Sequence, residues 1–352
     1  MTLQSKAPRL RAEWCPYSLD FRFEARTSRA VMHQKDTYFI RLHDEARPEL
    51  GAAIGEVPLF RGLSAEDNDR FEDSLAQACK EPLKALTCGV SAIEFGFESA
   101  LRSLYGSAST PWTRGECGIP INGLVWMGDK HTMAERISQK LDAGFKVLKL
   151  KIGGIDFEDE MALLEAVRRK FSPADLEIRV DANGAFSPHD CMRHLERLAP
   201  LALHSIEQPI KAGQPDEMAA ICAVSPVPVA LDEELIGCRT LEESIDLVNR
   251  IAPAYLVLKP ALCGGFRGAE NYIFAAEMQG IGWWATSALE SDIGLFAIAR
   301  WLSEKQISIP QGLGTGQLYH NNIPSPLYMR NAEIWCDYGG KWGDMDSLPW
   351  RD

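Results

Sequence analysis

Val147-Leu148-Lys149-Leu150-Lys151 and Ile178-Arg179-Val180-Asp181 are two short apolar runs, and each ends in an ionisable residue. Between them, Phe157–Phe171 has the apolar spacing of an amphipathic helix. A strand, a helix and a second strand in this order form a parallel βαβ unit. This stretch therefore predicts an α/β fold built on a parallel sheet.

The same strand–helix rhythm continues from residue 119 onwards. Helical patterns such as Leu241–Asn249 alternate with further apolar runs: Gly123–Met127, Ser205–Glu207, Val229–Asp232, Tyr255–Lys259, Trp283–Thr286 and a last one near Ile307–Leu313. Open doubly wound sheets usually carry a Gly-x-Gly-x-x-Gly turn after their first strand, and the sequence has none. So many consecutive units favour a closed barrel.

The N-terminal third has a different pattern. Tyr38–Leu42 is β-branched and aromatic enough for a strand, Ser64-Ala65-Glu66-Asp67 predicts a capping box that opens a helix, and Val90–Tyr105 predicts a second helix. We therefore divide the chain into an α+β capping domain at 1–118, the barrel at 119–317, and a tail at 318–352 that packs back on the capping domain.

Composition limits the partners and the compartment. The 352 residues carry 37 basic and 49 acidic side chains, a net charge of −12, which disfavours nucleic acid and anionic membranes. The nine cysteines are an odd number without a Cys-x-x-Cys pair, as is typical of free thiols in a reducing compartment. The N-terminus lacks an apolar signal core and no apolar stretch reaches 18 residues. These features predict a cytoplasmic protein, without predicting its oligomeric state.

Five ionisable residues end consecutive strand runs. They are separated by 30, 26, 25 and 27 residues, one βα unit each: Lys151, Asp181, Glu207, Asp232 and Lys259. The C-terminal ends of barrel strands meet at one mouth, where barrel active sites lie. A single carboxylate at a strand end is usually a helix cap or a solvated loop residue, but five in phase indicate a site.

Three of these residues are carboxylates, and close together they would repel one another and take up protons. A divalent cation removes this conflict, and oxygen ligands suit Mg²⁺ best, with Mn²⁺ next. Histidine and cysteine are absent from these strand ends, which disfavours zinc. A lysine beside such a cation can act as a general base.

These motifs resemble the enolase superfamily, in its muconate-lactonizing-like subgroup, and most of all the o-succinylbenzoate synthases of menaquinone biosynthesis. The resemblance spans nearly the whole chain. It rests on Lys149-Leu150-Lys151, Arg179–Gly184, Ile206–Pro209, Asp232-Glu233, Lys259-Pro260, Ser287–Gly294 and Gly312–Thr315, with Gly55–Leu59 in the first domain. It implies a (β/α)7β TIM-like barrel with an α+β capping domain.

The resemblance also implies roles for individual residues. Asp181, Glu207 and Asp232 would be ligands of Mg²⁺. Lys151 would be the acid/base, and Lys259 would stabilise the substrate from the opposite side. Supporting roles fall to Lys149, Arg179, Asn183 and Glu233, and weaker candidates for substrate contact are Ser287, Ser291, Arg26 and Arg29.

The implied enzyme is a carbon–oxygen lyase acting on a small carboxylate. It would dehydrate a succinyl-hydroxycyclohexadiene carboxylate to o-succinylbenzoate. N-succinylamino acid racemases, dipeptide epimerases and muconate cycloisomerases share the lysine pair and remain alternatives, as does a binding protein on a decayed barrel. Dipeptide epimerases typically carry an Asp-x-Asp where this chain reads Gly312-Leu313-Gly314, which argues against a dipeptide.

Overall fold

The computed structural model describes residues 7–26, 31–106, 109–307 and 309–352. The strands are β1 (Leu10–Arg26), β2 (Val31–Asp44), β3 (Ala52–Val57), β4 (Ile119–Pro120), β5 (Gly123–Val125), β6 (Val147–Lys151), β7 (Glu177–Asp181), β8 (Ser205–Glu207), β9 (Val229–Leu231), β10 (Tyr255–Leu258), β11 (Gly282–Ala285), β12 (Leu327–Arg330) and β13 (Glu333–Cys336). The helices are α1 (Phe71–Lys80), α2 (Pro82–Ala85), α3 (Ser91–Leu104), α4 (Lys130–Asp142), α5 (Phe157–Lys170), α6 (Pro188–Leu198), α7 (Pro215–Val224), α8 (Leu241–Ile251), α9 (Gly265–Glu277) and α10 (Asp292–Leu302).

The central element is a parallel sheet whose strands β5 to β11 are paired in chain order. The segment around Gln311 and Gly312 closes it into a barrel, because it bridges in parallel to Ile121 on one side and to Thr286 on the other. Gln311 N donates to Pro120 O at 2.8 Å and Gly312 N donates to Ala285 O at 2.8 Å. The predicted TIM-like barrel with a capping domain is confirmed.

The barrel strands are short and apolar because helices cover them from outside. Ile178, Ile206 and Leu256 are fully buried in the main core, as expected for a parallel sheet that has no solvated face. Several of these helices begin at side-chain caps, such as the capping box of Thr240 and Glu243 at α8 and the Asp156 carboxylate at α5. Strand and helix therefore alternate as the apolar spacing predicts.

The N-terminal domain is an antiparallel sheet in the order β1-β2-β3, against which α3 packs. Its core joins Ile40 and Leu42 of β2 to Ile93 and Phe97 of α3. The helix lies so close to β3 that a β-carbon added to Gly55 would be 2.1 Å from the backbone oxygen of Gly96. Glycine is required here because no side chain fits between the two backbones.

After the barrel, the chain returns to the N-terminal sheet. Tyr319 bridges to Phe21, and Arg351 bridges to Trp14. The hairpin of β12 and β13 instead pairs with β4, which directly precedes the first barrel strand, β5. The divisions of the chain at 118 and 317 stay a prediction.

One local prediction was wrong. Ser64-Ala65-Glu66-Asp67 does not open a helix, since α1 begins at Phe71. Ser64 Oγ accepts instead from Phe60 N at 3.0 Å, and Glu66 Oε1 accepts from Ala92 N at 2.9 Å. These side chains satisfy backbone groups outside α1, which a local capping pattern cannot foresee. Within the predicted run Ile307–Leu313, the described residues form parallel bridges at Gln311 and Gly312, so its C-terminal part pairs as expected.

Within the described part of the chain, no helix has both the length and the apolar character needed to cross a membrane.

Candidate active site

Parallel pairing brings the ionisable strand ends together. Lys151 of β6 is in register with Asp181 of β7, and Asp181 is in register with Glu207 of β8. Asp232 directly follows β9, beside Glu207. One carboxylate oxygen from each acid lies within 4.8 Å of the other two, and all three side chains are buried.

The acids titrate differently because their surroundings differ. Burial and the neighbouring charge of Asp181 raise the pKa of Glu207 well above its ordinary value. Burial alone would also raise the pKa of Asp181, but Lys149 and Lys151 outweigh it and lower that pKa. Three buried carboxylates offering only oxygen ligands fit a hard divalent cation. The acidic triad can therefore bind a metal ion.

The lysines surround the triad from both sides. Lys149 Nζ lies 2.9 Å from Asp181 Oδ2 and 2.6 Å from Glu207 Oε2. Burial disfavours the charge on Lys149, yet these two acids raise its pKa. Lys259 Nζ donates to Asp232 Oδ2, which together with Glu233 raises the pKa of Lys259 against the effect of burial.

Lys151 has a different environment from Lys149 two residues earlier. Its Nζ donates to Asp181 Oδ2 at 2.8 Å and to Asn183 Oδ1 at 2.7 Å. Lys151, Lys149 and Lys259 all line one cavity at the barrel mouth. Lysines from β6 and the end of β10 thus face a shared space, with the triad on the strands between them.

Two residues that bond the lysines or the triad have a strained backbone conformation. Asn183 has φ 45° and Gln208 has φ 41°, in the left-handed region that non-glycine residues seldom adopt. Asn183 Nδ2 donates to Glu233 Oε1 at 3.1 Å, so Glu233 reaches Lys151 through the Asn183 amide. The predicted supporting residues Asn183 and Glu233 thus lie at the site.

Gln208 is a further residue of the site that its sequence motif did not predict. Its Oε1 accepts from Asp232 N at 3.1 Å and from Glu234 N at 3.2 Å, and its Nε2 donates to Ile210 O at 3.0 Å. It thereby joins the end of β8 to the turn that carries Asp232. The Glu207-Gln208-Pro209 motif could have indicated this role, because a buried amide beside a predicted metal ligand can bond both neighbouring loops.

Other predicted residues lie elsewhere or are otherwise engaged. Arg179 points to the base of the barrel, where it donates to Glu177 Oε1 at 2.7 Å and to Pro310 O at 2.9 Å. Ser287 Oγ donates to Glu290, and Ser291 Oγ to Glu56. The side chain of Arg26 and the whole of Arg29 lie outside the described residues.

The cavity wall across from the triad is largely neutral and apolar. Leu124 and Trp126 contribute from β5 and its end, and Phe60 and Leu63 reach in from the N-terminal domain. Two buried polar atoms of this wall, Asn122 Oδ1 and Thr315 Oγ1, have no hydrogen-bond partner among the described residues. Neither residue is predicted from the sequence, because its position on this wall depends on how the barrel closes.

Comparison with known proteins places this geometry in a family. Residues 132–324 match the family described as enolase C-terminal domain-like. The chain is 44% identical to the o-succinylbenzoate synthase of Desulfotalea psychrophila over 351 residues, covering 88% of this chain and 94% of the relative. It superposes on the crystal structure of MenC from Desulfotalea psychrophila with a TM-score of 0.79 and 40% identity, covering 94% of this chain and 100% of that chain. The L-Ala-D/L-Glu epimerase of Bacillus subtilis is 22% identical over 280 residues, which cover 72% of this chain and 74% of the relative.

Proposed function

Because this chain belongs to the enolase superfamily, whose C-terminal domain its residues 132–324 match, we propose that it is a Mg²⁺-dependent carbon–oxygen lyase. Its substrate is a succinyl-hydroxycyclohexadiene carboxylate, and its product is o-succinylbenzoate. The 44% identity to an o-succinylbenzoate synthase over most of both chains supports this substrate. The observation that carries the chemistry is the placement of Lys151 and Lys259 in one cavity with the acidic triad between their strands.

The proposed reaction is a syn elimination of water. Lys151 Nζ accepts the proton from the ring carbon next to the carboxylate, and the ring hydroxyl leaves as the ring becomes aromatic. Lys151 then returns that proton to the leaving hydroxyl, so the products are one aromatic acid and one water. Lys259 contributes its positive charge to the substrate from the other side of the cavity.

The acidic triad would hold the metal ion that faces the substrate carboxylate. Asp181, Glu207 and Asp232 would be the ligands of the divalent cation, Mg²⁺ or Mn²⁺. When bound, this cation would neutralise charge that develops on the ring carboxylate. Asn183 fixes the position of Lys151 Nζ, and Gln208 fixes the turn that carries Asp232.

Dipeptide epimerases share the lysine pair, but a dipeptide substrate fits this cavity less well. A dipeptide presents an ammonium group, and burying it without an anionic partner is costly. Gly312 cannot be replaced by aspartate without a rearrangement, since a β-carbon there would lie 2.2 Å from Thr286 Oγ1. The wall at Gly312 and Gly314 thus offers no carboxylate. An N-succinylamino acid has no free ammonium, so its racemisation remains the second candidate function.

The test is a substrate panel with purified protein and Mg²⁺. We expect the succinyl cyclohexadiene acid to be converted with kcat/KM at least ~10²-fold above any dipeptide, because a site lacking a needed polar partner discriminates by orders of magnitude. Racemisation of N-succinylamino acids is followed in parallel by deuterium exchange. Epimerisation of Ala-Glu at comparable efficiency would overturn the substrate assignment, and absence of metal-dependent proton exchange with every acid would favour the binding-protein alternative.

The thiols agree with a reducing compartment. All nine cysteines lie in the described residues and are free. Disulfides form and persist in oxidising compartments. Free thiols therefore support the proposed cytoplasmic location of a biosynthetic enzyme.

A further inference from the structure

Another cavity lies outside the barrel, where three parts of the chain meet. Its volume is about 290 Å³, close to the lower end of the ~300–1,000 Å³ that is usual for small-molecule sites. The N-terminal domain lines it with β3 and α3, the barrel with α9 and α10, and the tail with Trp342 and Met345. Among the described residues, it shares no lining residue with the catalytic cavity. Packed protein interiors contain few voids larger than a water molecule, so a recess of this size indicates a site for an occupant.

The wall of this interdomain cavity is mainly apolar and aromatic. Phe266, Phe296 and Trp342 line it, and Ala53 and Ala297 leave room because each side chain is a single methyl group. The rings of Phe296 and Trp342 are 5.2 Å apart and nearly perpendicular. Trp342 is 41% exposed, so the cavity reaches solvent beside the tail. Aromatic walls of this kind favour a guest that is itself aromatic.

One cation of the same wall has an unpaired nitrogen atom. Arg300 Nε is buried, and it has no hydrogen-bond partner within the described residues. Burial lowers the pKa of Arg300, while the charge of Glu304 opposes this shift and the charge of Arg102 adds to it. Arginine nevertheless stays protonated in proteins. A buried donor without an acceptor is rare, so Arg300 indicates that the occupant supplies one.

The acids around Arg300 are already bound to other cations. Glu304 Oε2 accepts from Arg102 Nη1 at 3.0 Å. Glu270 Oε1 accepts from Lys305 Nζ at 3.0 Å and lies 3.8 Å from Arg102 Nη2. These three cations and two acids leave an excess of one positive charge. An occupant that carries one negative charge would balance it.

The two properties of the wall together select the chemistry of the occupant. An inorganic anion would satisfy Arg300 but would leave the aromatic surface without a partner. A neutral aromatic molecule would cover that surface but would leave Arg300 Nε unpaired. A carboxylate fits the planar guanidinium through paired hydrogen bonds. A protein partner needs about 800 Å² of surface on each side, whereas this site is a recess of small-molecule size.

We propose that the interdomain cavity is a binding site for a small aromatic carboxylate. The carboxylate accepts hydrogen bonds from the Arg300 guanidinium, and the ring packs against Phe296 and Trp342. This inference goes beyond the proposed function, because it involves neither the acidic triad nor the catalytic lysines. Its test is therefore independent of which reaction the barrel catalyses.

The test measures binding to the full chain by calorimetry, with 4-methylbenzoate and its neutral, near-isosteric amide as probes. The wild type should bind the acid at least ~10-fold more tightly than the amide, because a hydrogen bond between two charged groups is stronger than one with a neutral partner. Arg300→Met should weaken binding of the acid by about 10- to 100-fold and change binding of the amide by less than about 3-fold. Arg300→Lys keeps the charge without the planar fork and should have an intermediate effect.

A second variant fills the cavity without changing any charge. Ala297→Leu adds three carbon atoms at the wall and keeps a residue that favours helix, so it should weaken binding of both probes. The matched controls are Arg169→Met on α5 and Ala220→Leu on α7, which make the same substitutions at exposed helical sites. Both controls should bind as the wild type does. If thermal unfolding shows that Arg300→Met is destabilised, Arg300→Lys and Ala297→Leu decide the result.

Each titration is made in Mg²⁺ and repeated in EDTA, because a carboxylate held at the acidic triad would need the metal and one held at Arg300 would not. Binding that is lost in EDTA, or that survives both Arg300→Met and Ala297→Leu, would place the acid outside this cavity and refute the proposal. Equal affinity for the acid and the amide would refute recognition of the charge. Absence of saturable binding to the wild type would refute the site altogether.

Discussion

Lys151 and Asn183 are joined by a hydrogen bond in which Lys151 Nζ donates to Asn183 Oδ1 at 2.7 Å. Asn183 in turn donates to Glu233 at 3.1 Å. Lys151 Nζ also donates to Asp181 Oδ2, so Asn183 Oδ1 and Asp181 Oδ2 are two fixed acceptors that hold the end of this flexible side chain. If Lys151 is the acid/base, its reach to the substrate depends on this amide.

Replacing Asn183 with alanine should lower kcat by about 10- to 100-fold, because Lys151 would lose a positioning partner. The substitution also strains the left-handed backbone, at a cost of ~1 kcal/mol. Asn331→Ala is the matched control, since Asn331 has φ 50° far from the site. Asn183→Ala should lose more stability in denaturant unfolding than Asn331→Ala, since it also removes buried hydrogen bonds to Lys151 and Glu233, and only Asn183→Ala should lose turnover. Equal kcat in the two variants would contradict the positioning role.

Replacing Lys151 with alanine should lower turnover by about 10²- to 10⁴-fold, the usual contribution of a general acid–base group. Deuterium exchange at the carbon next to the carboxylate should fall in parallel. Lys146→Ala, an exposed residue just before the same strand, should leave both rates unchanged. Exchange that persists in Lys151→Ala would show that another residue removes the proton.

Metal binding can be measured without catalysis. Mg²⁺ at 100 times its dissociation constant should raise the free energy of unfolding by ~2.7 kcal/mol, provided that it binds only the folded chain. EDTA should reverse the increase. Glu207→Gln should abolish it, whereas Asp216→Asn, an exposed acid paired with Arg250, should retain it. A Mg²⁺-induced rise in melting temperature that survives Glu207→Gln would remove Glu207 from the ligand set.

A side chain at position 312 would clash with Thr286, and this clash can be tested. A β-carbon on Gly312 would lie 2.2 Å from Thr286 Oγ1 and 2.6 Å from Thr286 Cβ. Gly312→Ala should therefore destabilise the chain by at least ~1–3 kcal/mol, the usual cost of overpacking. Thr286→Gly in the same chain should recover part of that loss. Gly339→Ala, with 3.7 Å to its nearest neighbour, should be neutral, and additive effects of the first two substitutions would refute the clash.

The sequence predicted the catalytic strand ends because their information is local and periodic. A residue that ends a buried parallel strand must lie at the barrel mouth, so Lys151, Asp181 and Glu207 could be located without a structure. Contacts between distant segments leave no such pattern. The bond from Ser291 to Glu56 joins positions 235 residues apart, so the sequence could not show that this serine is engaged.

Asn122 was missed for a related reason. It precedes β5, and its position depends on the hydrogen bond from its backbone N to Gln311 O, which lies in the last segment of the barrel sequence. Barrel closure has no sequence periodicity of its own. The engagement of Ser287 was also not predictable: its hydroxyl donates to Glu290, and Leu289 between them adopts φ 65°, a conformation that its residue type does not predict.

Glu290 should make stability depend on pH. It is fully buried, and its pKa is raised to about 7, chiefly by burial and also by Glu56, while the hydrogen bond from Ser287 and the charge of Lys35 oppose the rise. The unfolded chain releases this proton near the ordinary value of 4.5. Between about pH 4.5 and 7 the folded chain thus holds more protons than the unfolded chain, so the free energy of unfolding falls as pH rises through this window. The total loss is of order 3 kcal/mol, at 1.36 kcal/mol per unit of pKa difference.

Glu290→Gln removes this titration because glutamine stays neutral. Its amide oxygen can still accept from Ser287, so the variant should be as stable as the wild type at pH 5 and more stable at pH 8. Urea unfolding at both pH values measures the difference. Glu277→Gln, at an exposed site on α9, should keep the wild-type pH dependence. An unchanged slope in Glu290→Gln would mean that the buried carboxyl is charged at neutral pH, with Lys35 as its compensating cation.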